Sequence, residues 1–230
     1  MRLYLVFALV VAVVAGCATG ELSTVEKAQL SFAEVKKGDA AYEKGKLDEA
    51  IAHYEKALEL TPNAPKFRFA YAQLLYMKGL TYSQESHHNW MKTQGRTFDP
   101  EIAAWKDLPF DLTEEQKKKL MQKSAEYHRE GLIYFNKALR NLERCDADWN
   151  YAVESVPFAK GMVLIFLSEY RQAIVEFERV ASSSRVNEDY RKRIRKVIDK
   201  LKETVREMEL SLIHISEPTR PLYISYAVFC

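Results

Sequence analysis

When the chain is shifted by 34 residues along itself, Gly38 falls on Ala72, Tyr42 on Tyr76 and Gly45 on Gly79. A period of that length points to helical hairpins stacked in a row, because one such unit cannot enclose its apolar face and needs the next to complete a core. Composition is compatible with this and excludes much else. With 47% hydrophobic and 29% charged residues but only 8 glycines and 7 prolines, the 230 residues do not describe a collagen-like, mainly disordered or polytopic membrane chain.

The first unit runs from Gly38 through Tyr42, Gly45, Leu47, Ala50, Ile51, Tyr54, Ala57 and Leu58 to Pro62, and it resembles a tetratricopeptide repeat, the helix-turn-helix module. Each small residue has a physical part in that reading. Gly38 and Ala50 sit where two antiparallel helices touch, Gly45 ends the first helix, Ala57 admits the next hairpin and Pro62 stops the second helix. The early Trp and Leu of that family are replaced by Glu34 and Lys37, and Ala41 stands where an aromatic is usual. The first repeat is therefore expected to pack against an N-terminal extension or to be partly open.

A second unit begins at Phe67, and Gly131, Phe135 and Ala138 reproduce the spacing of Ala50, Tyr54 and Ala57, displaced by 47 extra residues. Residues 81–112 hold no sustained period and contain Gly95, Pro100 and Pro109, so they read as a long insertion inside one hairpin. Thr113 and Gln116 form a capping-box pattern that opens a long helix over roughly 114–143. In the third unit Gly161, Leu164, Tyr170, Ala173, Ile174, Phe177 and Val180 keep the spacings of Gly38 to Ala57, with Arg185 in place of the proline. From Asn187 to Glu209 a stripe of Tyr190, Ile194, Val197, Ile198, Leu201, Val205 and Met208 predicts a helix that caps the array. The expected fold is all-α, a tetratricopeptide-type hairpin solenoid of about three repeats with one long insertion and a C-terminal capping helix. The resemblance covers residues 31–185.

Both ends differ in character from this domain at 17–209. Arg2 precedes an apolar run from Leu3 to Ala15 that is too short to span a bilayer and reads as a secretory signal over 1–16. Its close, Val14, Ala15, Gly16 and Cys17, resembles the lipobox of bacterial lipoproteins. The resemblance implies acylation of Cys17 and, with Ala18 next, an outer-membrane position facing the periplasm; the plain alternative is a cleaved signal beside a spare cysteine. Ser23 and Glu26 form a second capping box a few residues on, which makes the tether short. At the other end, Leu210 to Arg220 and Ile224 to Cys230 resemble two blocks, in order, of a translated sequencing-library adapter. Residues 210–230 are set apart on that ground, although their β-branched and aromatic content otherwise reads as a short strand, and the natural chain is expected to continue past Glu209.

Without Arg2, Glu217 and Arg220, 32 basic residues face 31 acidic ones, so charge gives no reason to expect a nucleic-acid partner. With Cys17 lipidated, Cys145 has no intramolecular partner, and its acidic surroundings argue against a catalytic thiol. His87 and His88 are adjacent, which suits joint metal ligation poorly, and Ser83, Glu85 and His87 lie too close along the chain to form a hydrolytic triad. The basic residues from Arg191 to Lys196 alternate with acidic ones further on and read as a solvated face. No enzyme, metal or cofactor is expected.

Function then falls to surface. In tetratricopeptide arrays the first helix of each hairpin lines a concave face, and the resemblance carries this onto Asp39, Tyr42 and Glu43, then Phe69, Gln73, Tyr76 and Met77, then Phe158, Met162, Ile165 and Phe166. Two readings of that apolar, aromatic face stay open: a groove for a partner's segment, or plain core filled by the insertion through Trp90, Trp105 and Phe110. The expectation is a lipid-anchored scaffold for protein partners at the cell envelope. The alternative is a transporter-associated lipoprotein holding a small apolar ligand, for which a closed tunnel lined by Tyr76, Phe158 and Phe166 would speak.

Overall fold

A computed structural model describes residues 22–148 and 154–213. The signal segment, Cys17 and most of the adapter-like tail lie outside these residues. Among the described residues there are seven helices: α1 (Thr24–Glu43), α2 (Leu47–Leu60), α3 (Pro65–Thr93), α4 (Glu114–Asp148), α5 (Ser155–Phe166), α6 (Tyr170–Ser182) and α7 (Glu188–Ile213). α1 and α2, α3 and α4, and α5 and α6 form three antiparallel hairpins; each packs on the next, and α7 closes the end against α6. This is the all-α hairpin array expected from the repeat. Both capping boxes form: Ser23 with Glu26 at the start of α1, and Thr113 with Gln116 at the start of α4.

One contact recurs in all three hairpins. A Cβ added at Gly38 would lie 2.8 Å from the ring of Tyr54, one at Gly79 2.6 Å from Phe135, and one at Gly161 2.8 Å from Phe177. The missing side chain lets an aromatic ring from the second helix lie on the backbone of the first. This corrects the register, which aligned Gly38 with Ala72 and made Gly79 a helix end. Gly79 is buried in the middle of α3, whose helix continues to Thr93. The counterpart of Gly38 is therefore Gly79 itself, one heptad beyond Ala72. The insertion that separates this glycine from its ring is correspondingly one heptad shorter than the alignment on Ala72 implied.

The insertion is not a loop. Thr81 to Thr93 extend α3, a two-stranded antiparallel hairpin follows (β1, Arg96–Asp99; β2, Ala104–Asp107), and α4 returns along α3. Small residues spaced by heptads set the two long helices close together. Cys145 Sγ reaches Pro65 O at 3.5 Å; Ala72 and Ala138, both fully enclosed, come one heptad further; then a Cβ on Gly131 would lie 3.3 Å from Gly79 O. Another heptad on, Ser86 and Ser124 each donate to the other's carbonyl at 2.9 Å. Each heptad along α3 is matched by a heptad back along α4, the periodicity of an antiparallel coiled coil. Beyond Gly79 this pair projects as an arm about 20 Å long at roughly 1.5 Å per residue. At its tip His87, His88, Trp90, Phe98 and Trp105 stack together.

The turns inside the first and third hairpins are built alike. Gly45, at φ 73°, and Lys46 close α1 with hydrogen bonds to Tyr42 O and Ala41 O, and Ser168, at φ 61°, and Glu169 do the same for α5 with Ile165 O and Leu164 O. Serine carries a steric penalty in this left-handed region that glycine escapes. Ser168→Gly should therefore raise stability by up to about 1 kcal/mol, and Gly45→Ser should lower it by a similar amount. Urea melts of both variants check this, since equal and opposite midpoint shifts require both turns to be left-handed.

In the cap, Asn187 Oδ1 accepts from Tyr190 N at 2.8 Å, and Ile194, Ile198 and Leu201 are buried against α6 with Val197 and Val205 half-buried. The stripe that begins after Asn187 thus faces the core, except that Met208 and Tyr190 are exposed.

Candidate partner-binding groove

Four residues of α3, Ala70, Gln73, Leu74 and Met77, recur at helical spacing along one side, and Tyr76 lies beside them. Across from them α1 contributes Asp39 and Tyr42, and α2 contributes Tyr54. Together these eight residues line a cavity of about 390 Å³ that opens to solvent, at the small end of the roughly 300–1,000 Å³ typical of ligand sites. Its polar lining is ordered from within. Tyr54 Oη donates to Asp39 Oδ1 at 2.6 Å, and Tyr42 Oη donates to Met77 Sδ at 3.3 Å across the rim. Burial, and then the bond to the Asp39 carboxylate, push the Tyr54 phenol far above its ordinary pKa, so it remains a proton donor at any physiological pH.

The structure brings together Asp39, Tyr42, Gln73, Tyr76 and Met77 of the groove residues expected from sequence. Glu43 is exposed one turn beyond Asp39, and Phe69 is half-buried against the first core. The third hairpin takes no part in the cavity. Phe158 packs against Phe177 and Tyr190, Met162 is half-buried on the second core, and Phe166 stacks on Phe135 at 4.8 Å. Ile165, expected on an open face, is 1% exposed. α5 is packed by both α4 and α6, so Val163, Leu164 and Ile165 are all enclosed in succession. Tyr76 has two faces: it lines the cavity and also meets Phe135 and Phe166, each at 5.8 Å.

Tyr54, Ala70 and Leu74 also line the cavity and were not among the residues expected there. Ala70 and Leu74 had a signal, since they complete the stripe of Gln73 and Met77; Tyr54 did not, because it stands on the second helix of its hairpin, outside the first-helix face that the resemblance assigned to the groove. The expected plug is absent from the lining. Trp90 and Trp105 are held at the tip of the arm, well beyond Met77 along α3, and Phe110 is 61% exposed. Among the described residues no three His, Cys, Asp or Glu side chains are placed to hold a metal ion, and His87 and His88 are occupied in aromatic stacking. Cys145 is fully enclosed.

The cavity lies between the end of α1, Tyr54 of α2 and the first half of α3. Residues 38–79 match the family model of the TPR repeat. Neither the curated proteins nor the solved structures give a significant match. TPR repeats generally bind protein partners and are typically non-enzymatic scaffolds, and the matched residues contain every residue of the cavity lining.

Proposed function

We propose that this chain is a lipid-anchored scaffold, facing the periplasm from the outer membrane, whose first two hairpins hold a segment of a protein partner. The observation that carries the reading is the preformed cavity between α1, α2 and α3, within the TPR-matched residues. Anchoring rests on the lipobox-like Val14 to Cys17, and the short tether to α1 keeps the cavity close to the membrane surface. An open site rimmed by exposed Asp39, Tyr42, Gln73 and Met77 suits a peptide segment, whose backbone and flanking side chains stay in water. A carrier of small apolar molecules needs a closed chamber, and Phe158 and Phe166, which would have lined one, belong to the core.

The test must separate binding from folding. Tyr76→Ala is unsuited to this, because Tyr76 supports Phe135 and Phe166. Tyr42 and Met77 are 44% and 37% exposed, so a Tyr42→Ala, Met77→Ala double variant should melt within about 0.5 kcal/mol of the parent. Crosslinking capture from envelope membranes should fall at least tenfold with that variant. Ala50→Leu, which forces methylenes into a fully enclosed contact, should instead cost roughly 1–3 kcal/mol of stability. Undiminished capture by the double variant would remove the cavity as the binding site.

A further inference from the structure

The lining of the cavity is electron-rich, and its charge is one-sided. Asp39 is the one charged residue among the eight that line it. Tyr54 occupies Oδ1 of that carboxylate, and Oδ2 takes no hydrogen bond among the described residues. Glu43 follows one turn later on the same side of α1, exposed, with no ion pair among the described residues. Of the cations close by in the chain, Lys78 pairs with Asp48 at 2.9 Å and Lys46 with Glu49 at 2.8 Å, while Lys36 and Lys44 are exposed and lie outside the lining. Both rim and floor phenols spend their protons inside the lining, Tyr54 on Asp39 and Tyr42 on Met77. What remains for a ligand, beside the Gln73 amide, which can donate as well as accept, is acceptor capacity: a carboxylate oxygen, phenol lone pairs and the faces of tyrosine rings.

We propose that the segment held in this cavity presents a lysine or arginine side chain, whose cation meets Asp39 while its aliphatic stem lies along Leu74, Met77 and the tyrosine rings. The inference rests on the groove reading above and deepens it by naming the partner's chemistry. A long cationic side chain fits such a lining because its stem is apolar and only its head needs a counter-charge. Tyrosine faces add attraction for a cation. An acidic segment would meet Asp39 and Glu43 with no lysine or arginine in the lining to offset them, which discriminates strongly against it.

Phage display of random peptides on the immobilised full chain tests this. The expected enrichment is for one lysine or arginine flanked by apolar residues. A fluorescent synthetic copy of the leading peptide should bind the Asp39→Asn variant at least tenfold more weakly than the parent. A charge-assisted bond is lost there, while the amide carbonyl can still accept from Tyr54. The peptide's affinity should also fall with added salt. Enriched peptides that are acidic or uncharged, yet lose binding with the Tyr42→Ala, Met77→Ala variant, would overturn the cationic assignment and leave the groove in place. Peptides indifferent to that double variant, or no enrichment at all, would overturn the groove itself.

Discussion

Replacing Phe135 by alanine should destabilise the protein by about 3–5 kcal/mol, the range for truncating a fully enclosed phenylalanine. Its ring is 2% exposed, lies on the backbone at Gly79, stacks on Phe166 at 4.8 Å and meets Tyr76 at 5.8 Å. One side chain thus joins the second hairpin to the third. The same contact makes an opposite substitution informative. Gly→Ala inside a helix ordinarily gains roughly 0.5–1 kcal/mol. At Gly79 the added Cβ would stand 2.6 Å from Cε1 of a ring with no space to retreat, so Gly79→Ala should lose stability. Adding Phe135→Leu to Gly79→Ala should recover part of that loss, giving a coupling of at least about 1 kcal/mol in a double-mutant cycle followed by urea melts. Strictly additive losses would mean that the glycine and the ring do not meet.

Under the proposed anchoring, Cys17→Ser should move the protein from the membrane fraction to the soluble fraction and abolish incorporation of labelled palmitate. The effect is expected to be complete. Acyl chains contribute about 0.8 kcal/mol per buried methylene, so several chains hold the domain durably and their loss leaves little. Among the described residues no helix is long and apolar enough to cross a membrane. Continued uptake of palmitate by the Cys17→Ser variant would sink the lipobox reading; retention on membranes without label would point to a membrane-bound partner holding the scaffold.

The hairpins of the first and third units were legible because their determinants are local. Gly38, Ala50 and Tyr54, and again Gly161, Ala173 and Phe177, lie close together along the chain, and each side chain type states its packing role whatever surrounds it. The left-handed turn at Gly45 was legible for the same reason, whereas Ser168 in the equivalent turn gave no sign, since the geometry there is imposed by the helices on either side.

The cavity was half legible. Asp39, Tyr42, Gln73, Tyr76 and Met77 follow from the register of two neighbouring first helices, but Ile165 required knowing that α5 is covered on more than one side. Burial along a helix is decided by its neighbours, and an apolar residue reads alike in a core and in a groove.

The middle hairpin marks the boundary between the two kinds of information. By itself the sequence determined that helical hairpins repeat, where α1 and α4 begin through their capping boxes, that an apolar stripe after Asn187 makes a closing helix, and which small residues lie where the two helices of a short hairpin touch. Only the tertiary structure decided that Gly79 packs and does not terminate, and that residues 81–93 are helix. Placing Gly38 on Ala72 or on Gly79 shifts the register by one heptad, two turns, which leaves each side chain within about 20° of the same face. Periodicity along one helix therefore cannot choose between them. The choice is made by Phe135, which reaches Gly79 from beyond the whole arm, and the arm is held by Ser86 and Ser124. Their polar side chains carry no apolar signal and become core only because each finds the other's carbonyl.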